Sequence, residues 1–424
     1  MTQPKTQPKT QPTPHPTPSV DPLTPTGLDG DRLARRNAVL LALAQSIGGA
    51  TASIIIATGP LVGTMMLHGS KSLATLPVSA MVLGTAIGTL PAGAISRRLG
   101  RRVGFMGAAV LSACGGLLAA FAIFQSLFWL FALACMFSGF AAAFVQQYRF
   151  AAADTASEGF RPKAISWVMA GGVLAGVVGP QTVIWSKDLF SPILFAGTYV
   201  AQAGLALIAL ALVSALRIPR PAAVVAGATG RPLAQIMAQP RFIVAAACGI
   251  TSYALMSLVM TATPLAMIGC GLTETDAALG IQWHVLAMFG PSFFTGNLIT
   301  RFGKERIVAI GLALLAACSM VALAGVELAH FWTALILLGL GWNFGFIGAT
   351  AMLTDAYRPE ERNMVQAVND FLVFGVVASA SFLSGQLLEH FGWTTVNVIV
   401  FPFVALSLGL LGWLVFQGRK GQLS

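Results

Sequence analysis

The stretch Gly93-Ala-Ile-Ser-Arg-Arg98-Leu-Gly100-Arg101-Arg102 returns about two hundred residues later as Gly296-Asn-Leu-Ile-Thr-Arg301-Phe-Gly303-Lys304. Gly93 maps to Gly296, Arg98 to Arg301, Gly100 to Gly303 and Arg101 to Lys304, each at an offset of 203 residues. A helix end, a basic turn and a helix start therefore recur in register. Half of the chain repeats the other half.

The composition fixes the phase in which those halves sit. Hydrophobic residues make up 56% of the chain and charged residues only 9%, far from the roughly 25% charged composition of a soluble domain. Apolar runs of about twenty residues, the length that crosses a hydrocarbon core, fall near 37–60, 74–95, 104–124, 128–148, 166–186, 191–213, 242–264, 276–297, 306–324, 331–352, 364–386 and 393–417. These predict twelve helices crossing a bilayer.

Cations resist translocation and collect on the cytoplasmic side. With both termini cytoplasmic, 23 of the 25 Lys and Arg residues fall inside, leaving only Lys71 and Lys187 outside. The net charge of +10 is thus a topology signal, not a mark of nucleic-acid binding. Residues 1–35, with their TQPK repeat and prolines, cannot bury a core and read as an extended, disordered cytoplasmic tail. The expected organisation is that tail, a six-helix half at 36–213, a basic cytoplasmic linker at 214–241, a second six-helix half at 242–417 and a short cytoplasmic tail at 418–424.

Chemistry that would mark an enzyme is missing from the sequence. Cys114, Cys135, Cys248, Cys270 and Cys318 lie in apolar runs without metal-ligand spacing, no phosphate-binding G-x-x-x-x-G-K-[ST] loop occurs, and no catalytic triad or carboxylate constellation falls within the spans. No metal and no cofactor is expected.

Twelve spans in two halves, with a G-x-x-x-x-R-x-G-[RK] turn after the second and the eighth, resemble the major facilitator superfamily over about residues 37–417. The resemblance implies a transporter that works by alternating access between its halves, with Gly93, Arg98, Gly100 and Arg101, and Gly296, Arg301, Gly303 and Lys304, as gating turns. The family's usual acid at the fifth position of the turn is replaced by Arg97 and Thr300, which puts an acid-based latch in doubt. A second repeat places Asp154 and Arg161 in one loop and Asp355 and Arg362 in another, offset by 201. These are read either as salt bridges between the halves that form when the cytoplasmic side closes or as solvated loop charge.

Polar side chains inside spans need partners or water and so point to a cavity. In the superfamily, spans one, four, seven and ten line the cavity, which by resemblance assigns that role to Gln45, Gln146, Tyr253, Trp342 and Asn343. Gly172 and Gly176 on span five have the small-x-x-x-small spacing of close helix packing. Asp370 enters span eleven beside Asn369. It is a proton-carrier candidate, a substitute latch for Arg97 or Arg98, or a charge at a helix N-terminus. His284 is the other proton-carrier candidate, with a structural hydrogen bond as the alternative.

More narrowly, the segment Gln146-Gln147-Tyr148-Arg149-Phe150-Ala-Ala-Ala-Asp154, the Pro-rich head and Arg97 resemble the bacterial riboflavin uptake members of the superfamily. That implies import of a flat, uncharged flavin across the inner membrane, with aromatic faces for stacking and amides for hydrogen bonding. The expected partners are a small-molecule substrate, the lipid bilayer and, if transport is coupled, protons. A proton-coupled efflux antiporter for drugs or metabolites and a non-transporting receptor or assembly factor are the alternatives. The first lacks a deeply buried acid between residues 37 and 140, and the second has no need of two matched halves.

Overall fold

The computed structural model describes residues 28–68, 72–154, 156–157, 160–218, 231–358 and 361–420, and the regular elements among them are helices. The first half contributes α1 (Leu28–Met66), α2 (Leu76–Arg98), α3 (Arg101–Phe124), α4 (Phe128–Val145), α5 (Tyr148–Asp154), α6 (Arg161–Ser186) and α7 (Ala196–Ser214). After a short α8 (Leu233–Met237), the second contributes α9 (Pro240–Gly269), α10 (Glu274–Phe289), α11 (Ser292–Phe302), α12 (Lys304–Ala324), α13 (Leu328–Leu353), α14 (Arg362–Val398) and α15 (Val400–Lys420). In lipid only a helix can satisfy its own backbone groups within one segment. An all-helical fold follows directly from the hydropathy.

Ten stretches are by themselves long and apolar enough to span a bilayer. The last, Met364–Gln417, is 54 residues long and turns at Gly392, whose φ of 78° breaks the helix, so it supplies two crossings. Another comes from α10 and α11 in series, each too short alone. Pro291 separates them because it has no N–H to give to the preceding turn. Twelve crossings result, as the sequence predicts.

Asn343 of α13 braces that break. Its amide donates to the Met288 carbonyl at 2.7 Å and the Ser292 hydroxyl at 2.8 Å, and its oxygen accepts from Thr295. These three residues flank Pro291, so a helix interrupted inside lipid keeps its polar groups bonded.

The repeat is visible in the backbone. Gly100 has φ 90° and ψ 152°, and Gly303 has φ 91° and ψ 152°. A residue with a β-carbon is strained in that conformation, so both turns require glycine. The first helix begins at Leu28, inside the stretch read as tail, and α8 with the start of α9 lies inside the stretch read as linker. The expected tail and linker at residues 1–27, 219–230 and 421–424 lie outside the described residues.

Helix α6 packs with two faces. A β-carbon on Gly171 or Gly179 would collide with the α1 backbone at Ala42 or Ala50. Gly172 and Gly176 look the other way, onto Phe289 and Val285 of α10. The Gly172-x-x-x-Gly176 spacing thus marks a contact between the halves.

Candidate functional site

The loop ends joined by the two glycine turns form a basic face. There Arg101 meets Asp154 at 2.6 Å, and Lys304 meets Asp355 at the same distance. Arg101 and Lys304 are matched positions of the repeat, and so are Asp154 and Asp355. The second half adds Arg241, which bonds both Asp355 at 2.6 Å and Glu305 at 2.9 Å. Partial burial raises the Asp355 pKa, but the Lys304 and Arg241 hydrogen bonds win and hold it below the ordinary carboxylate value.

These pairs lie within each half; the pairing between halves expected on closure of the cytoplasmic side stays a proposal. Asp154 and Asp355 bond cations of their own half, while Arg161 and Arg362 stand exposed at the first turns of α6 and α14 and take no part. The reason is positional. Each acid closes one segment beside the glycine turn, whereas each arginine opens the following helix. Arg98 and Arg301 are exposed, the latter over its neighbour Phe302 with 5.3 Å from guanidinium carbon to ring centroid; Gly93 and Gly296 lie inside α2 and α11.

Bonds between the halves lie elsewhere. Among the described residues they are Thr75 Oγ1 to the Phe382 carbonyl at 3.2 Å, Gln386 Nε2 to the Ser72 carbonyl at 2.7 Å, Gln181 to Gln282 at 3.0 Å and Lys187 to Glu274 at 3.3 Å. All four belong to the ends of the spans remote from the basic face. These bonds fasten the halves on that remote side, whereas α5 and α11, at the basic face, pack mainly against helices of their own half; the region between the halves there is the candidate cleft.

The wall that the second half gives to the cleft is aromatic. Tyr253 of α9 has ring centroids of Trp342, Phe346 and Phe374 at 5.4, 5.0 and 5.7 Å, all edge-to-face. Trp342 in turn stacks on Phe346 at 5.3 Å and meets Phe289 at 6.0 Å. Trp342 is buried, whereas Tyr253, Phe346 and Phe374 keep partly open faces. Half-buried Gln45 and exposed Gln146 come from the first half, and neither side chain bonds another protein group among the described residues. Their donors and acceptors are therefore free.

Asn343 has another role, and His284 makes the structural hydrogen bond that is its alternative reading. Asn343 is fully buried and spends its whole amide on the α10–α11 break; it is a helix brace, not a cavity group. His284 is also fully buried, its Nδ1 at 2.9 Å from the Leu335 carbonyl in the α10–α13 contact. Asp370 is the one proton-carrier candidate bordering the cleft. It is the ninth residue of α14, too deep for a helix N-terminal charge, with the Asn369 amide at 3.5 Å. Arg149 of α5 and Tyr253 are near enough to act on it electrostatically, with no ion pair among the described residues. Phe346, Phe374 and Arg149 were not singled out from the sequence as cavity residues. Their signal is spacing: Phe346 lies four residues after Trp342, and Phe374 four after Asp370.

Two matched six-helix halves around a candidate cleft, fastened at one end, define a carrier that exposes one site alternately to two sides. A sequence profile described as Major Facilitator Superfamily matches residues 38–291 and 245–423. The chain belongs to that superfamily: it is a multi-pass membrane transporter with a small-molecule substrate, and not an enzyme. It is 53% identical over 379 residues to the riboflavin transporter RfnT of Brucella anthropi, covering 88% of this chain and 94% of that one. It is 30% identical over 416 residues to the MFS-type transporter YddS of Bacillus subtilis, covering 92% and 93%. A drug efflux pump of Mycobacterium tuberculosis, JefA, is 30% identical over 142 residues, only 32% of this chain and 27% of that one.

Proposed function

We propose that this protein imports riboflavin across the bacterial inner membrane, with its basic face and both termini cytoplasmic. The observation that carries the reading is the 53% identity, over 88% of this chain, with a riboflavin transporter. Similarity to an efflux pump covers under a third of the chain and does not compete with it. The cleft fits: an aromatic wall offers faces for a flat ring, and free amides on the other half offer hydrogen bonds. In this reading the halves at 36–213 and 242–417 are the moving units, and the residues that line the cleft are Gln45, Gln146, Tyr253 and the edge of Trp342.

Uptake of radiolabelled riboflavin by cells that cannot make the vitamin tests the proposal. Cells carrying this chain should accumulate label well above cells without it. Equal accumulation in the two would refute import of riboflavin and leave the superfamily assignment intact.

A further inference from the structure

The cleft has a second chemistry beside its rings. Asp370 and Phe374 are four residues apart on α14, so they lie on one face of the helix about one turn, roughly 5.4 Å, from each other. Phe374 touches Tyr253 at the open edge of the aromatic cluster. Beside Asp370 stands the Asn369 amide, and from the first half Arg149, whose guanidinium carbon lies 4.8 Å from the Phe150 ring centroid, is near enough to act on it electrostatically without an ion pair. A carboxylate only accepts hydrogen bonds and a guanidinium only donates them, while a hydroxyl does both. The two charges cancel, so this end of the cleft suits an uncharged solute rich in hydroxyls better than an ion.

We propose that Asp370, Asn369 and Arg149 bind a polyhydroxyl chain while Tyr253 and Phe374 bind the planar ring that carries it. The proposal rests on the flavin reading above and divides that ligand between two walls. Because Arg149 belongs to the first half and Asp370 to the second, one chain touching both favours the state in which the halves approach at the basic face.

The test uses purified full-length protein and quenching of flavin fluorescence by two probes: riboflavin, and lumiflavin, which has the same ring system with a methyl group in place of the ribityl chain. The parent should bind riboflavin more tightly than lumiflavin. Asp370→Ala and Arg149→Ala should each weaken riboflavin roughly tenfold or more, since a tenfold change is the loss of about 1.4 kcal/mol, and should leave lumiflavin affinity unchanged. Retained lumiflavin binding also shows that each variant is folded. Equal weakening of both probes, or no change in either, overturns the two-wall assignment while the flavin reading stands. A parent protein that binds neither probe overturns the flavin reading and this proposal together.

Discussion

The two halves agree at their rims and differ along the cleft. At the rims Gly100 and Gly303 share one backbone conformation, and Arg101–Asp154 has its counterpart in Lys304–Asp355. Along the proposed cleft the second half presents Tyr253, Trp342, Phe346 and Phe374, whereas the first presents Gln45, Gln146 and Arg149. The contrast separates two demands on one fold. Parts that move the halves must work in both directions and stay matched; parts that hold a solute need only fit one molecule, which is asymmetric, and so diverge.

If the rims are mechanically equivalent, breaking either turn should have the same large effect. Gly100→Val and Gly303→Val each force a β-branched residue to a φ near 90°, a strain of about 1–3 kcal/mol at a moving part. Each variant should reach the membrane in normal amount and take up less than a tenth of the riboflavin that the parent does. Normal uptake in one of the two would mean that only one turn gates.

The cleft, by contrast, should respond unequally. Tyr253→Ala removes a ring that anchors three others, and each aromatic contact is worth about 0.5–1.5 kcal/mol beyond its area. Riboflavin affinity should fall by tenfold or more, read by fluorescence quenching. Gln146→Ala, at an exposed amide, should lower it only a few-fold. Equal losses would dissolve the distinction between an aromatic wall and a polar one.

The smallest effect is expected at the matched acids, where the rims differ. Asp355 holds two cations and Asp154 one, and exposed pairs contribute about 0–1 kcal/mol each. Asp355→Asn should therefore lower the melting temperature of the purified protein slightly more than Asp154→Asn. Since the folded pKa of Asp355 is depressed, its contribution is complete above the ordinary carboxylate pKa of about 4. It is lost as pH falls through the lower folded value. The gap between the variants should be present at pH 7 and close in acid; a gap that widens in acid would contradict the assigned ion pairs.

Sequence legibility follows the same divide. Hydropathy and the 203-residue offset depend on local composition, so the twelve crossings and the glycine turns could be read directly. Pairing could not. Asp154 and Arg161 are close in the chain, but Arg101, 53 positions earlier, is the nearer cation in space. Asn343 looked like a cavity group and His284 like a proton carrier because depth in a span can be read, while the face of the helix that a side chain occupies cannot. Asn343 turned out to serve Pro291, a need that is legible only once α10 and α11 are seen to stop and restart beside it. Glu361 belongs here too: its carboxylate takes hydrogen bonds from Arg231 at 2.7–2.9 Å, which with smaller contributions hold its pKa well below the carboxylate range. Nothing in the local sequence joins two residues 130 positions apart.

The remote seal is made of four hydrogen bonds, three of them between uncharged groups. At about 0.5–1.5 kcal/mol net for each, the polar part of that seal amounts to only a few kcal/mol, beside the apolar contact of α6 with α10. An empty carrier has no ratchet in this seal. In the proposed import, uptake without proton coupling would run in the direction set by concentrations on the two sides, so continued accumulation inside a cell would depend on whatever removes the free solute once it arrives.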